Sequence, residues 1–400
     1  MVRLKTTFQI HTGDQALAQN TVFHQVIKLI PRSEFQSCVS KNNGDKGVRS
    51  LDCWTWFGSL LFGQLTGHDS IRAIERVFST QDGQFKKLGF GPVRKSTLAD
   101  ANKSRPVEVL EDLFQYLLGR AYQVAPSKHK NLKLKGDVFA MDSTTIELCL
   151  SLCPWAQFHH GKGATKLHTA IDVANDLPQF AVITPGKVHD MRAIKNEVSF
   201  PPKSTVVVDR GYIDYSWLNE LNQTGVYFVT KSKANMKFKV VESRPTNRTR
   251  GHMCDQVIYL KSAVGSKYKG KLRRISYNCP DTGKRLTFIT NRFDLAVQTI
   301  CDLYKARWKV ELFFKTLKQN LKIKKFLGTT ANAVKAQILV ALISFLLLQI
   351  LRFSFKTSIS IPDLMAVVGT LLLLKQPLKD LIGDLPRVTR HPPGLQLMLF

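Results

Sequence analysis

The chain has 400 residues, of which 44% are hydrophobic and 22% are charged, a balance that is typical of folded globular proteins and argues against a disordered chain. At this length we expect two or three domains. Lysine and arginine number 58 against 30 acidic residues, which gives a net charge of +28 at pH 7. Such a surface attracts polyanions, so nucleic acid is the partner we expect first; a basic protein without that partner is the alternative.

The cysteines and the most apolar segments bear on the compartment. The seven cysteines are scattered and no pair has the CxxC spacing of a zinc site, so we expect reduced thiols in a cytoplasmic protein. The N-terminal sequence MVRLKTTFQIHTGDQ contains no apolar h-region, which predicts no signal peptide. Residues 336–351 are nearly all apolar, but this run is shorter than the roughly twenty residues of a membrane span. We therefore expect a buried core helix there and no membrane partner.

Residues 1–125 are predicted to form an all-α domain. Apolar residues recur at helical spacing over 22–30, 51–65, 70–78 and 107–122. A basic turn and a short helix, which contain Arg94 and Lys95, precede the last of these. Helices around a basic turn are typical of a module that docks on DNA, although a small helical bundle with a solvated basic face fits the pattern equally well.

The pattern changes to strands after about residue 135. Short β-prone runs are predicted at 138–141, 167–173, 179–184, 205–208 and 226–230. The first of them ends in Asp142, within FAMDST, and the fourth ends in Asp209, within VVVDRGY. A carboxylate at the end of a strand in an α/β sheet can project into the crevice where ligands bind, although either residue alone is more often a turn or cap residue.

A second strand-rich segment, at about residues 231–290, is strongly basic. Four β-prone runs alternate there with Gly, Pro and Asn turns. Residues 225–290 contain fifteen lysine and arginine residues and three acidic residues, so this segment carries +12 of the total charge. Helix is predicted from residue 294 to the C-terminus.

A third acidic residue, Glu311, lies in a predicted helix among basic neighbours. Four polar residues, separated by three, four and seven positions, share one face of that helix: Tyr304, Arg307, Glu311 and Lys318. One acid among arginine and lysine suits a phosphodiester held against a metal ion, whereas a solvated helix with internal ion pairs is the alternative. Three carboxylates can hold two Mg²⁺ ions about 4 Å apart, which activate a water or a DNA hydroxyl.

The run Tyr-x2-Arg-x3-Glu-x6-Lys resembles the signature of the insertion-sequence-four family of DDE transposases. Asp142 in MDST and Asp209 in DRGY resemble the two catalytic aspartates of that family, and the basic strands resemble its β insertion. The resemblance covers about residues 135–350. It implies an α/β ribonuclease H-like core with a β-rich insertion at about 231–290, preceded by an all-α N-terminal DNA-binding domain (1–125) and followed by C-terminal helices (351–400).

The resemblance also implies the site and its ligands. Asp142, Asp209 and Glu311 would be catalytic and would bind two Mg²⁺ or Mn²⁺ ions. The side chains expected to contact DNA are Tyr304, Arg307 and Lys318, to which we add Arg210 and Lys315. The expected partners are double-stranded DNA, at terminal inverted repeats and target sites, and a second copy of the chain in a synaptic homodimer. We expect a bacterial cytoplasmic protein associated with the nucleoid.

Two other functions fit the same sequence. One is a domesticated DDE nuclease that no longer moves DNA, and the other is a repressor derived from a transposase that binds DNA without catalysis. The presence of all three acids and of the Tyr, Arg and Lys residues favours an active enzyme over the repressor.

Overall fold

The chain forms two compact units. The computed structural model describes residues 20–126, 136–159, 162–195, 197–280, 282–321 and 326–383. By their internal contacts, the described residues up to Val124 group with those from Gln319 onward, and the described residues between them form the second unit. The domain boundaries taken from the sequence stay predictions, because compactness alone does not define a functional domain.

The N-terminal part of the first unit is helical, as the apolar spacing predicts. Its helices are α1 (Val22–Ile27), α2 (Arg32–Lys41), α3 (Cys53–Thr66), α4 (Ile71–Thr80), α5 (Asp82–Lys86), α6 (Lys95–Ser104) and α7 (Glu108–Val124). The Asp52 side chain accepts a hydrogen bond from the Thr55 amide and so begins α3, and Gly67, with φ of 71°, ends it. Ser70 caps α4 in the same way by accepting from Ala73.

The second unit is built on one mixed sheet. Its first strands are β1 (Val138–Leu148), β2 (Gln157–His159), β3 (Lys162–Asp172), β4 (Leu177–Pro185), β5 (Thr205–Val208) and β6 (Tyr227–Lys231), with helices α8 (Asp190–Ile194) and α9 (Tyr215–Gln223) between them. The order β4-β3-β1-β5-β6, with β3 antiparallel to its two neighbours and β1, β5 and β6 parallel, is that of a ribonuclease H-like core. The predicted fold class is confirmed.

The basic segment extends the same sheet beyond β6. Its strands are β7 (Phe238–Arg244), β8 (His252–Leu260), β9 (Leu272–Asn278) and β10 (Arg285–Thr290), in the order β6-β10-β9-β8-β7. Helices α10 (Val297–Ala306) and α11 (Trp308–Lys315) follow, and residues Thr316–Asn320 continue as a π-helical turn. The insertion therefore leaves the core after β6 and returns to it through β10.

Helices cover both faces of the core sheet. Met141, Val208 and Phe228 belong to an apolar cluster that includes Met191 of α8 and Leu218 of α9. Because successive side chains of a strand point to opposite faces, the residue after Met141 points away from this cluster. That opposite face is covered by α10, which contacts β5 and β6, and by α11, which contacts β1 and β3.

The C-terminal helices complete the first unit: α12 (Ala331–Ser354), α13 (Ile361–Thr370) and α14 (Leu378–Gly383). Among the described residues, α12 alone is long and apolar enough to cross a membrane by length and composition, but 94% of its most apolar window is buried inside the structure. It packs against α7, α3 and α6, and Asn332 donates to the Asn102 carbonyl oxygen. This is the buried core helix that the sequence predicts.

Candidate active site

Asp142 and Asp209 follow paired positions of two neighbouring strands. Strands β1 and β5 are parallel and pair Met141 with Val208; Asp142 is the next residue of β1, and Asp209 is the residue that follows β5. Neighbouring strands lie about 4.8 Å apart, which places the two carboxylates within reach of a shared ligand. One detail of the sequence prediction was wrong: β1 does not end at Asp142 but continues to Leu148, paired with β3. Asp142 marks the point where β5 stops pairing with β1.

Backbone amides fix one oxygen of each aspartate. Asp142 Oδ1 accepts from the Ser143 amide at 2.8 Å, and Asp209 Oδ1 accepts from the Gly211 amide at 3.0 Å, at the start of a 3₁₀ turn. The orientation of both carboxyl groups is therefore set locally by the chain that follows each of them. The second oxygen of Asp142, Oδ2, remains available to groups on the face of the sheet that α10 and α11 cover.

The third acid lies on a helix that is interrupted. The sequence predicts one continuous helix through Glu311, but α10 ends at Ala306 and α11 begins at Trp308. Arg307, at the junction, keeps right-handed helical angles (φ −53°, ψ −31°), and its amide donates to the Tyr304 carbonyl three residues earlier. Regular spacing thus holds between Arg307 and Glu311, whereas Lys318 lies beyond it in the π-helical turn.

Arg307 joins Glu311 to the sheet. Its Nη1 donates to Asp142 Oδ2 at 3.1 Å, and its Nη2 lies 2.7 Å from Glu311 Oε1. The guanidinium carbon lies 5.8 Å from the centre of the Tyr304 ring. The side chain of Arg307 is 15% exposed, so both ion pairs are largely shielded from solvent. The structure therefore brings Asp142, Arg307 and Glu311 into direct contact.

The pKa values of these groups reflect that contact. Burial raises the pKa of Asp142 to about 6; Ser143 and Arg307 oppose the rise, and the nearby charges of Glu311 and Asp209 add to it. Burial lowers the pKa of Arg307, but Tyr304, Glu311 and Asp142 outweigh it, so the net shift is upward. The guanidinium stays charged among the three acids.

The other residues expected to contact DNA differ in exposure. Arg210 and Lys315 are exposed and Lys318 is half-buried. Tyr304 is only 6% exposed, and its ring packs against Phe288 at 4.7 Å between ring centres. Burial raises the pKa of Tyr304, so its phenol stays protonated beside Arg307.

Two features near the site were missed from the sequence. Lys309 of α11 donates to the Val173 carbonyl oxygen at 2.6 Å and to Asp176 Oδ1 at 2.7 Å, which ties the Glu311 helix to the turn between β3 and β4. On the opposite face of the sheet, Lys166 Nζ lies 3.0 Å from Asp190 Oδ1. In the sequence, only their charge marks the residues of these two contacts. Many surface residues are charged as well, so charge does not distinguish them.

The basic strands carry most of their charge on the surface. The exposed members, on strands and connections, are Lys233, Lys237, Lys239, Arg248, Arg250, Lys261, Lys267, Lys269, Lys271, Lys284 and Arg285. Arg273 is an exception, because its guanidinium forms a bidentate ion pair with Asp255, with both contacts at 2.8 Å and both side chains buried. Arg273 therefore belongs to the core of the insertion.

The acidic side chains are of the type that binds divalent metal ions, but the described residues do not arrange them as a metal site. Within the described residues, no group of three or more His, Cys, Asp or Glu side chains is placed to hold a metal ion. Asp142 and Glu311 nevertheless share one cation already, the guanidinium of Arg307. Carboxylate oxygens are also the ligands that Mg²⁺ and Mn²⁺ prefer. The side chains at this site therefore supply donor atoms of the type that such an ion binds.

The fold and the position of its acids define a class: a ribonuclease H-like enzyme with acidic residues on β1, on the loop after β5 and on α11. The family described as "Transposase DDE domain" matches residues 133–347, more than half of the chain. The chain belongs to this family. Residues 18–91 match a separate domain of unknown function.

Individual relatives agree with the family match. A protein of Sinorhizobium fredii named as a transposase is 35% identical over 258 residues, which cover 63% of this chain and 70% of that protein. A protein of Synechocystis sp. named as the transposase of insertion sequence element IS4SA is 26% identical, over 70% of this chain and 78% of its own length. The cryo-EM structure of the piggyBac transposase synaptic complex with hairpin DNA aligns with 94% of this chain and 83% of its own, at a TM-score of 0.40 and 13% identity.

Proposed function

We propose that this DDE transposase is the enzyme of an insertion sequence, and that it cleaves DNA strands at the ends of its element and transfers them to target DNA. Asp142, Asp209 and Glu311 are its metal ligands. The observation that carries this proposal is the meeting of Asp142, on the sheet, with Arg307 and Glu311, on the helix that covers it. The parallel pairing that puts Asp209 beside Asp142 supports it.

The residues of the site have different roles. The three carboxylates would hold two Mg²⁺ or Mn²⁺ ions, which would supply activation of the attacking water or hydroxyl and stabilisation of the leaving 3′ oxygen. Arg307 and Lys318 hold the phosphodiester by charge-assisted hydrogen bonds. Tyr304, packed on Phe288, keeps its ring against the guanidinium of Arg307. The fixed Oδ1 atoms of the two aspartates keep their carboxyl groups from rotating.

Affinity for DNA comes mainly from the backbone of the duplex. The exposed lysine and arginine side chains of the β insertion form a positive surface on the same unit as the acids. Each phosphate that such a surface neutralises releases counterions, which makes binding strong and dependent on salt. Arg210 and Lys315, both exposed on this unit, add to the surface. The helices of residues 1–125 supply preference for the element's own ends.

The DNA substrate determines the oligomeric assembly and the cellular location that we propose. Because two ends of one element must be brought together before transfer, we propose a homodimer in the synaptic complex with double-stranded DNA. A protein that acts on chromosomal DNA works inside the bacterial cell, on the nucleoid. The S. fredii and Synechocystis relatives support a bacterial setting.

The test is strand cleavage by variants that keep side-chain shape and remove one ligand charge. Asp142→Asn, Asp209→Asn and Glu311→Gln should each lower the rate of Mg²⁺-dependent cleavage of an end-containing duplex by at least about a hundredfold. Their affinity for DNA, measured by fluorescence anisotropy, should persist, because the basic residues are unchanged. Asp302→Asn, which removes an exposed acid from α10, is the matched control and should cut at the wild-type rate.

The outcomes separate the alternatives. Wild-type cleavage by any one of the three variants removes that residue from the proposed site. A wild-type protein that binds its ends and never cuts them is a repressor. One that cuts but never joins the ends to a target is a nuclease.

A further inference from the structure

Arg307 occupies the place between two carboxylates of the proposed metal site. Its two terminal nitrogens divide between Asp142 Oδ2, at 3.1 Å, and Glu311 Oε1, at 2.7 Å. The other oxygen of Asp142 is taken by the Ser143 amide. The guanidinium therefore uses the oxygen of Asp142 that faces the helix, which is the oxygen that a cation shared with Glu311 would also use.

The guanidinium and a divalent ion cannot share this position. Both are cations, and at separations of a few ångströms in a partly buried site their repulsion is large. The Arg307 side chain is 15% exposed, with Asp142 and Glu311 at 21% and 30%, so solvent screens these charges only in part. The Nε atom of Arg307 is also buried and has no hydrogen-bond partner among the described residues. The guanidinium is thus held by its two ion pairs and by the Tyr304 ring beside it.

We propose that Arg307 is an internal counter-ion of the metal-free enzyme, which a divalent metal ion displaces and which then becomes available to a DNA phosphate. The proposal rests on the proposed function, since it takes Asp142 and Glu311 as metal ligands. Arg307 acts here as a positioning residue, because it holds Asp142 and Glu311 together before any metal ion arrives.

The exchange couples metal binding to DNA binding. When a DNA phosphate binds the guanidinium of Arg307, the guanidinium no longer competes with the metal ion for Asp142 and Glu311. DNA therefore raises the affinity of the protein for the metal ion. By linkage, metal raises the affinity for DNA by the same factor. The enzyme without DNA therefore binds metal weakly, and the complete site forms when substrate is present.

The experiment measures Mn²⁺ binding by the paramagnetic resonance signal of free Mn²⁺, with full-length protein and no DNA. Arg307→Gln removes the competing charge, so it should bind Mn²⁺ about fivefold or more tightly than wild type. Lys187→Gln, exposed after β4, removes the same charge from another part of this unit and should change the affinity much less. A variant that binds Mn²⁺ equally or less tightly than wild type overturns the proposal.

A second measurement keeps the test decisive if Arg307→Gln does not fold. Saturating duplex DNA should raise the Mn²⁺ affinity of the wild-type protein, after subtraction of Mn²⁺ bound by DNA alone, by about fivefold or more. Arg307→Lys, whose single ammonium replaces the two-armed guanidinium, should show a smaller effect of DNA. An equal affinity with and without DNA contradicts the exchange.

Failure of this inference differs from failure of the proposed function. Asp142→Asn must lose Mn²⁺ affinity if the site is the proposed one. If Asp142→Asn binds Mn²⁺ as wild type does, the metal site itself is misplaced. If Asp142→Asn loses Mn²⁺ and Arg307→Gln gains none, the metal site stands and only the role of Arg307 is wrong.

Discussion

Lys309 Nζ lies 2.7 Å from Asp176 Oδ1, although 133 positions separate the two residues. The same ammonium donates to the carbonyl oxygen of Val173, the residue that follows β3. Lys309 precedes Glu311 by two positions, so these contacts tie the helix that carries the acid to the turn beyond β3. Strand β3 in turn pairs with β1, which carries Asp142. One lysine thus links the two sides of the site.

We predict that Lys309→Met slows cleavage by about tenfold, because Glu311 is then less firmly placed against Asp142. The effect on stability should stay below about 1 kcal/mol, since the ion pair is partly exposed. Asp176→Asn should produce a similar but smaller loss, because the Val173 contact survives. The double variant should be no slower than Lys309→Met alone in cleavage assays. Additive losses would mean that the two residues act separately.

The pKa of Asp142 makes metal binding depend on pH. Burial raises this pKa to about 6, so below about pH 5 the carboxyl group is largely protonated in the folded protein. A metal ion must then displace a proton, and its apparent affinity should fall about tenfold for each pH unit below 6. Above pH 7 the group is ionised and the affinity should be level.

Calorimetric titration of Mn²⁺ between pH 5 and pH 8 measures this dependence. Asp142→Asn is the control, because it binds the ion more weakly but has no proton to lose at this position, so its profile should be flatter below pH 6. A wild-type affinity that is constant from pH 5 to pH 7 would show that protonation of Asp142 does not compete with the metal.

The sequence was sufficient to predict the core. Strand-length apolar runs in front of Asp142 and Asp209 located two of its strands, and the resemblance of the motifs to a transposase family implied the ribonuclease H-like fold. The extension of β1 to Leu148 was not predicted, although Thr144, Thr145 and Ile146 are residues that favour strands. Their pairing with β3 is a tertiary contact, which local preference alone does not reveal.

The details of the site depended on contacts that no local pattern contains. The break at Arg307 lies within a run that contains no Gly or Pro, so composition alone predicted none. The contact of Arg307 with Asp142 spans 165 positions. Its contact with Glu311 follows from their four-residue spacing and was available from the sequence as a shared face.

Charge alone also misassigned a buried arginine, Arg273. The sequence counts Arg273 with the fifteen basic residues of the insertion, but it is buried and paired with Asp255. We predict that Arg273→Met lowers the free energy of unfolding by about 3–5 kcal/mol, because it leaves a buried carboxylate without its partner. Adding Asp255→Leu should recover much of the loss, as measured by denaturant midpoints.

Lys239→Met is the matched control for Arg273, since Lys239 is exposed on β7. It should change stability by less than about 0.5 kcal/mol and should instead weaken DNA binding. If Arg273→Met is as stable as Lys239→Met, the buried ion pair contributes little and Arg273 belongs with the surface charges.

The basic residues of the N-terminal helices should set preference for the element's own ends. Arg105 donates to the Leu51 carbonyl oxygen and is half-buried, which gives it a structural role. Arg94 and Lys95, at the start of α6, are exposed. Deleting residues 1–125 would also remove the helices against which α12 is buried, so point substitutions are the cleaner test.

We predict that the double variant Arg94→Ala/Lys95→Ala loses most of its preference for end DNA over random duplex while retaining most of its affinity for random duplex. The reason is that base edges carry sequence information, whereas phosphate contacts by the β insertion bind any duplex. Lys318→Ala should do the opposite: it should weaken binding to both duplexes alike and flatten the dependence of affinity on salt by about one unit.

Salt titrations of anisotropy on both duplexes separate these effects. Lys28→Ala/Lys46→Ala removes the same charge from exposed positions of the same unit and should keep the preference for end DNA. If Arg94→Ala/Lys95→Ala keeps that preference as well, the start of α6 does not read the ends. A loss of preference in Lys318→Ala would place sequence reading in the catalytic unit, because Lys318 then contacts more than the phosphate backbone.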